Sequence, residues 1–243
     1  MTRLLAHAIT RRTTGGPATG LRGQPLDQIA GGELGLWATR WDAEPALSRD
    51  DAFAHHDLVA VLCDAGACLP VRFGTWLNDE AAARRSLEAD QERFTAAVDR
   101  LDERREVAIT LLWRDGGSAG AGGSAGAGGP PDPAKTEAGP GRRFLERQRA
   151  VHAVTDDRRE AAEAFAARLA EELAVDQADA RHESCPSPEV ALSLSLLARK
   201  DEADALKARA TAAVAALTGV RGVVSGPWPP YSFAEELGGG RGG

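Results

Sequence analysis

Apolar positions recur along the chain in two rhythms, and the changes between them mark the elements. Leu4–Thr10 and Leu34–Arg40 are dense apolar runs of strand length, separated by a stretch containing Gly and Pro. Ser48 or Asp50 can cap a helix in which Phe53, Leu58, Val61, Leu62 and Ala65 return at helical spacing until Gly66 stops it. A strand is predicted over Ala67–Phe73. A helix follows from Asp79 to about Arg104, with Leu87, Phe94, Val98 and Leu101 on one face. In Glu106–Trp113 the alternate residues Val107, Ile109, Leu111 and Trp113 share one side, as a strand requires. The order β-β-α-β-α-β predicts a sheet with helices packed on it.

From Arg114 to Gly141 large apolar residues nearly vanish. Gly-Ser-Ala-Gly-Ala-Gly occurs twice in tandem, at Gly117–Gly122 and Gly123–Gly128, before Pro130, Pro131 and Pro133. Such a segment cannot bury a core and reads as a linker, spanning roughly 30 Å as a random coil. Beyond it, Phe144, Val151, Ala162, Phe165, Leu169 and Leu173 mark a long helical region from Arg142 to about Val175, with a break expected near Thr155–Asp157. Strands are predicted at Asp179–Ser184, at Val190–Leu197, where Val190, Leu192, Leu194 and Leu196 alternate, and at Val220–Val224. A helix over Asp201–Leu217 carries Leu206, Ala210, Val214 and Leu217 on one stripe. The expected fold class is therefore α+β in two domains: residues 1–113, a linker over 114–141, a C-terminal α+β domain with a long helical region over 142–237, and a loose glycine-rich tail over 238–243.

Composition narrows the function. With 43% hydrophobic and 27% charged residues the chain is of ordinary globular type, and with only 5% aromatic residues its core must be built mainly from Ala, Leu and Val. The net charge of -7 is spread along the sequence without a basic block, which argues against nucleic acid and against a membrane surface. No signal peptide and no run of about 18 apolar residues is present, so a cytoplasmic location is expected. Cys63, Cys68 and Cys185 form no disulfide framework, and Cys63 and Cys68 read as small core residues. His55, His56 and Asp57 are adjacent and point in different directions on a helix, which disfavours a metal site. Phosphate-loop, dinucleotide-binding, nucleophile-elbow and zinc-helix motifs are all missing, so neither an enzyme nor a cofactor is expected.

Two segments stand out. In Gly226-Pro-Trp-Pro-Pro-Tyr-Ser-Phe233 three prolines fix φ and remove donors, so an extended or polyproline-like strip carrying Trp228, Pro229, Pro230, Tyr231 and Phe233 is expected, neither helix nor inner strand. Its aromatic rings have two readings, a contact surface for a partner or an intramolecular clasp closing the C-terminal domain. In Leu69-Pro-Val-Arg-Phe-Gly-Thr75, Arg72 points away from Val71 and Phe73. It has the readings of a bidentate anchor for a partner's carboxylate or an internal ion pair, with Asp79 or Glu80 nearest in sequence.

Both segments, together with His55-His-Asp-Leu-Val59 in the preceding helix, resemble the GvpF/GvpL family of gas vesicle accessory proteins. The likeness covers all but the linker and tail; it departs from the family pattern at Leu4-Leu-Ala-His-Ala8, where an aromatic-rich run is expected, and in the glycine-rich insertion. The resemblance implies a ferredoxin-like N-terminal α/β sandwich followed by a second α+β domain, and a protein needed for vesicle assembly. Its implied partners are the hydrophobic gas vesicle shell protein and other accessory proteins, and its implied location is the gas vesicle. The alternative function is a small-ligand-binding or regulatory α+β protein without catalysis.

Overall fold

The structure, a computed structural model, describes residues 2–13, 15–114 and 140–234. The expected linker and tail lie largely outside these residues. The fold is mixed α+β with two antiparallel sheets.

The first sheet has the order β2-β3-β1-β4, built from β1 (Arg3–Arg11), β2 (Leu26–Gly31), β3 (Leu34–Trp41) and β4 (Cys68–Pro70), with β5 (Trp76–Leu77) also pairing β1. β2 was not expected from its weak alternation; the hairpin register Leu26↔Thr39 to Gly31↔Leu34 forms it against β3. The strand expected over Ala67–Phe73 is shorter, because after Pro70 the chain loops away and returns to β1 only at Trp76. That excursion stays tied to β1, with Val71 N donating to His7 O at 2.9 Å and Ala6 N donating to Thr75 O at 2.9 Å.

β1 and β3 are buried almost throughout because both faces of this sheet are covered. Leu34, Leu36 and Ala38 of β3 face a core completed by α2 (Glu80–Ala89) and α3 (Gln91–Arg100), which supply Leu87, Phe94 and Val98. Trp37 faces a second core with Val59, Leu62 and Cys63 of α1 (Arg49–Ala65) and with Cys68. In place of the single helix expected from Asp79 to about Arg104 there are two, broken at Asp90 (φ -114, ψ 23). The apolar stripe continues from Leu87 to Phe94 across the break, so hydrophobic spacing alone did not mark it. α2 lies so close to β2 that a Cβ on Gly31 would stand 2.6 Å from Leu87 Cβ.

α1 begins as its sequence directs. Ser48 is the N-cap: Asp51 N donates to Ser48 Oγ at 3.2 Å, and Ser48 N donates to Asp51 Oδ2 at 2.7 Å, a closed capping box. Arg22 then binds the same carboxylate through both of its oxygens, at 2.7 and 2.5 Å, and this with the Ser48 bonds holds Asp51 well below the usual carboxylate range.

The second sheet has the order β7-β8-β6-β9, comprising β6 (Arg104–Trp113), β7 (Ala180–Ser184), β8 (Val190–Arg199) and β9 (Val220–Trp228). α4 (Pro140–Leu173) runs unbroken through Thr155–Asp157, and α5 (Ala203–Ala215) follows β8. Two compact units result. The first comprises Met1–Val107, Ser195–Lys207 and Ser225–Gly243, and the second comprises Ala108–Leu194 and Ala208–Val224. The ends of β8 and β9 thus belong with the N-terminal residues. In the second unit Trp113 meets Phe165 at 6.3 Å between ring centroids and Arg158 lies over Trp113. No described helix is long and apolar enough to cross a membrane.

Phe94 is fully buried in the larger core. Phe94→Ala is expected to lower unfolding stability by about 3–5 kcal/mol, read from the shift of the urea midpoint. A loss below about 1 kcal/mol would mean that α3 does not anchor this sheet.

Candidate functional site

A buried polar pair sits within the apolar interior of the first unit. At His7 the β1–β3 register slips, so that Ala6 opposes Ala38 and Ala8 opposes Trp37. This bulge turns His7 toward α1, the same side as Ala8. His7, fully buried, places Nδ1 2.9 Å from Nδ1 of His55 on α1, which is also buried. The outer bonds determine where the protons are. Val71 O can only accept, so His55 Nε2 at 3.1 Å carries a proton and, in the neutral ring, its Nδ1 must accept. His7 Nδ1 then donates, and His7 Nε2 accepts from the Thr39 hydroxyl at 3.2 Å. Thr39 Oγ1 in turn accepts from Trp41 Nε1 at 3.0 Å. Every ring nitrogen is satisfied by two neutral imidazoles. Burial, aided by the other histidine, pushes His7 down to about 3; burial also pushes His55 down to about 4, against the opposing effect of its bond to Val71.

This pair joins the two segments singled out in the sequence. Phe73 lies 5.3 Å from the His55 ring and Tyr231 lies 6.4 Å from it. His56, one residue on, faces Trp228 edge-on at 4.9 Å and Tyr231 at 6.1 Å. Phe73, Trp228 and Tyr231 are thus gathered around consecutive histidines of α1. Tyr231 also packs into the core of Leu62, Cys63 and Cys68, where burial, with smaller contributions from Cys63 and Cys68, raises its phenol. Burial, reinforced by Cys63, likewise keeps Cys68 a thiol.

The strip itself is partly regular. Gly226–Trp228 form the end of β9, an edge strand that accommodates Pro227, and Tyr231–Phe233 make a 3-10 turn, where no helical geometry was expected. Buried Glu106 grips the turn, accepting from Ser232 N at 2.9 Å and from the Ser232 hydroxyl at 2.7 Å. Lys207 Nζ donates to Gly226 O at 2.5 Å. At Gly226 φ is +106 and a Cβ would stand 2.6 Å from Glu106 O, so both conformation and space require glycine. The strip therefore packs on α1 through Trp228 and Tyr231.

The remaining named residues are spread out. Within the strip Pro229 and Pro230 are buried, and Phe233 enters the larger core with the Arg100 guanidinium over its ring. Arg72 is exposed on the 71–75 loop, and among the described residues its side chain makes no ion pair. The expected partners are occupied elsewhere: Asp79 Oδ1 accepts from Ala82 N at the start of α2, and Glu80 pairs with Arg40 and Arg84. His7, Thr39 and Glu106 escaped the sequence reading. A histidine inside an apolar strand was the one available signal, since burying it demands partners. Among the described residues no group of three or more His, Cys, Asp or Glu is placed to hold a metal ion.

Residues 4–235 match the family described as Gas vesicle synthesis protein GvpL/GvpF, and the chain belongs to that family. It is 28% identical over 252 residues to Gas vesicle protein L of Streptomyces sp. (strain CB03234), covering 94% of this chain and 91% of that protein. Its fold is that of two crystal structures. GvpF from Anabaena sp. PCC7120 superposes with a TM-score of 0.69 at 15% identity, covering 97% of each chain. GvpF from Microcystis aeruginosa gives 0.71 at 14% identity, covering 96% of this chain and 99% of that one. The family read from Leu69–Thr75 and Gly226–Phe233 is the one found.

Both histidines are depressed, so the unfolded chain takes up their protons near pH 6.5 while the folded chain takes them up only near pH 4 and below. Stability should therefore be level above pH 7 and fall as pH drops through 6 to 5, by roughly 1.4 kcal/mol per pH unit per histidine. Urea midpoints at pH 7.5, 6 and 5 measure this slope, and the double variant His7→Gln, His55→Gln should flatten it. An unchanged slope would place the acid sensitivity elsewhere. Gly226→Ala is expected to cost about 1–3 kcal/mol by the same assay; an unaltered midpoint would contradict the close approach to Glu106.

Proposed function

We propose that this protein is an accessory or minor structural protein of gas vesicle assembly, acting without catalysis by binding the hydrophobic shell protein and other accessory proteins in the cytoplasm and at the vesicle. Membership of a gas vesicle synthesis family supports the vesicle role. The observation that carries the binding role is Trp228: Pro229, Pro230 and Phe233 of the same strip are buried, yet this indole is 39% exposed. A large aromatic held at the surface by a rigid, proline-bounded backbone loses little entropy on docking. A subunit that faces gas exposes apolar surface, and a partner that covers such surface keeps it from aggregating.

The test is co-expression with the shell protein and, separately, with each co-encoded accessory protein, followed by affinity capture of the intact chain and of Trp228→Ala. At least a tenfold drop in capture by Trp228→Ala, with unchanged circular dichroism, is expected. If the intact chain captures none of these proteins, the binding role is wrong.

A further inference from the structure

Phe53 and Val61, expected in one apolar stripe of α1 with Leu62, are turned outward; nine residues separate Phe53 from Leu62, which places them on opposite sides of the helix. Phe53 is 56% exposed and Val61 55% exposed. With Asp57 between them they form one row along the helix, each four residues from the next. Where α1 ends, the row leads to a cleft of about 250 Å³ with apolar walls from Trp37, Leu62, Ala65 and Ala67 and with Arg12 at its rim. All of these residues lie in the first unit.

The charges along this face are specific. Asp57 is exposed, and among the described residues it has no cationic partner. Arg12 is exposed, and among the described residues it has no acidic partner. Arg11 beside it is already engaged by Asp99, and Asp64 on α1 by Arg105 and Lys200. Arg49 lies over the Phe53 ring and closes the other end of the row. An occupant must therefore present large apolar side chains at Phe53 and at the cleft, a cation over Asp57, and a carboxylate at Arg12.

Resting on the binding role proposed above, we infer that the outer face of α1 is the docking surface for an amphipathic helix of another gas vesicle protein. Its apolar stripe carries one Lys or Arg between two large apolar side chains, with an acidic residue about a turn beyond. From Phe53 to Ala65 the row spans about 18 Å at 1.5 Å per residue, so the docking helix needs roughly 12 residues. Laid antiparallel to α1, that helix places its acidic residue at its own N-terminal end, where its dipole favours negative charge. The cleft takes the anchoring side chain, the usual role of a pocket at the end of a helix groove.

The test uses the full chain, captured with the co-expressed shell protein and with each co-encoded accessory protein in turn. Two variants are compared with it, Phe53→Ser with Val61→Ser, and Asp57→Lys. All three positions are exposed, and circular dichroism checks that the fold is kept. The expected result is capture of at least one partner by the intact chain and a drop of at least tenfold with either variant. Capture restored to Asp57→Lys by reversing one basic residue of the partner's helix would also support the docking surface. Capture undiminished in both variants would overturn this inference and leave the binding role standing. No capture by the intact chain would remove both. Light scattering that shows a dimer of this chain, dissolved by Phe53→Ser with Val61→Ser, would also overturn the inference, because the occupant would then be a second copy.

Discussion

His7 and His55 meet 2.9 Å apart inside the first unit, and the requirement that buried polar atoms be paired governs what surrounds them. Four ring nitrogens need partners. His55 Nε2 is satisfied only if the 71–75 loop brings Val71 O to α1, and His7 Nε2 only if β3 presents Thr39. The bulge in β1 is what lets one strand send Ala6 to one core and both His7 and Ala8 toward the other. A strand, a helix and a loop are thus held in one relative arrangement by directional bonds, in a core whose Ala, Leu and Val packing is not directional.

The proline-rich strip uses the same platform. Its residues arrive from the end of β9, more than 150 positions after His55 and His56, and settle Trp228 and Tyr231 against them. Glu106 fixes the turn through Ser232, and Arg105 beside it donates to Cys63 O at 3.1 Å near the end of α1. Adjacent residues of β6 therefore hold the strip and the helix it covers. This explains how a segment with few backbone donors of its own becomes rigid enough to present one indole to solvent. Tyr231 and Phe233 pack into the interior, while Trp228 remains at the rim.

Much of the architecture was legible in order. The helix start at Ser48 or Asp50, the stop at Gly66, the alternation in β6 and β8 and the stripe of α5 are local, so spacing and caps announce them. Where the reading stopped short, a long-range constraint had overridden a local signal. β2 exists because β3 pairs with it; the 79–104 helix breaks at Asp90 without any break in its apolar stripe; the expected strand to Phe73 gives way to a loop opposite the bulge. Arg72 was matched with Asp79 and Glu80 by nearness in sequence, while helix capping claimed the first and Arg40 the second.

By itself the sequence determined the α+β class, most of the elements and, through Leu69–Thr75 and Gly226–Phe233, the family. Each of these rests on residues close together in the chain, whose spacing, capping and proline geometry act locally. Only the tertiary structure decided that the two segments meet, with His55 and His56 as the bridge, and which large apolar side chains of α1 stay outside. Convergence depends on chain-distant packing, and apolar spacing does not say which of two flanking positions the sheet will cover. Phe53 and Leu62, nine residues apart, stand on opposite sides of α1, and it is the placement of α1 over β1 and β4 that decides which side is buried and which stays in water.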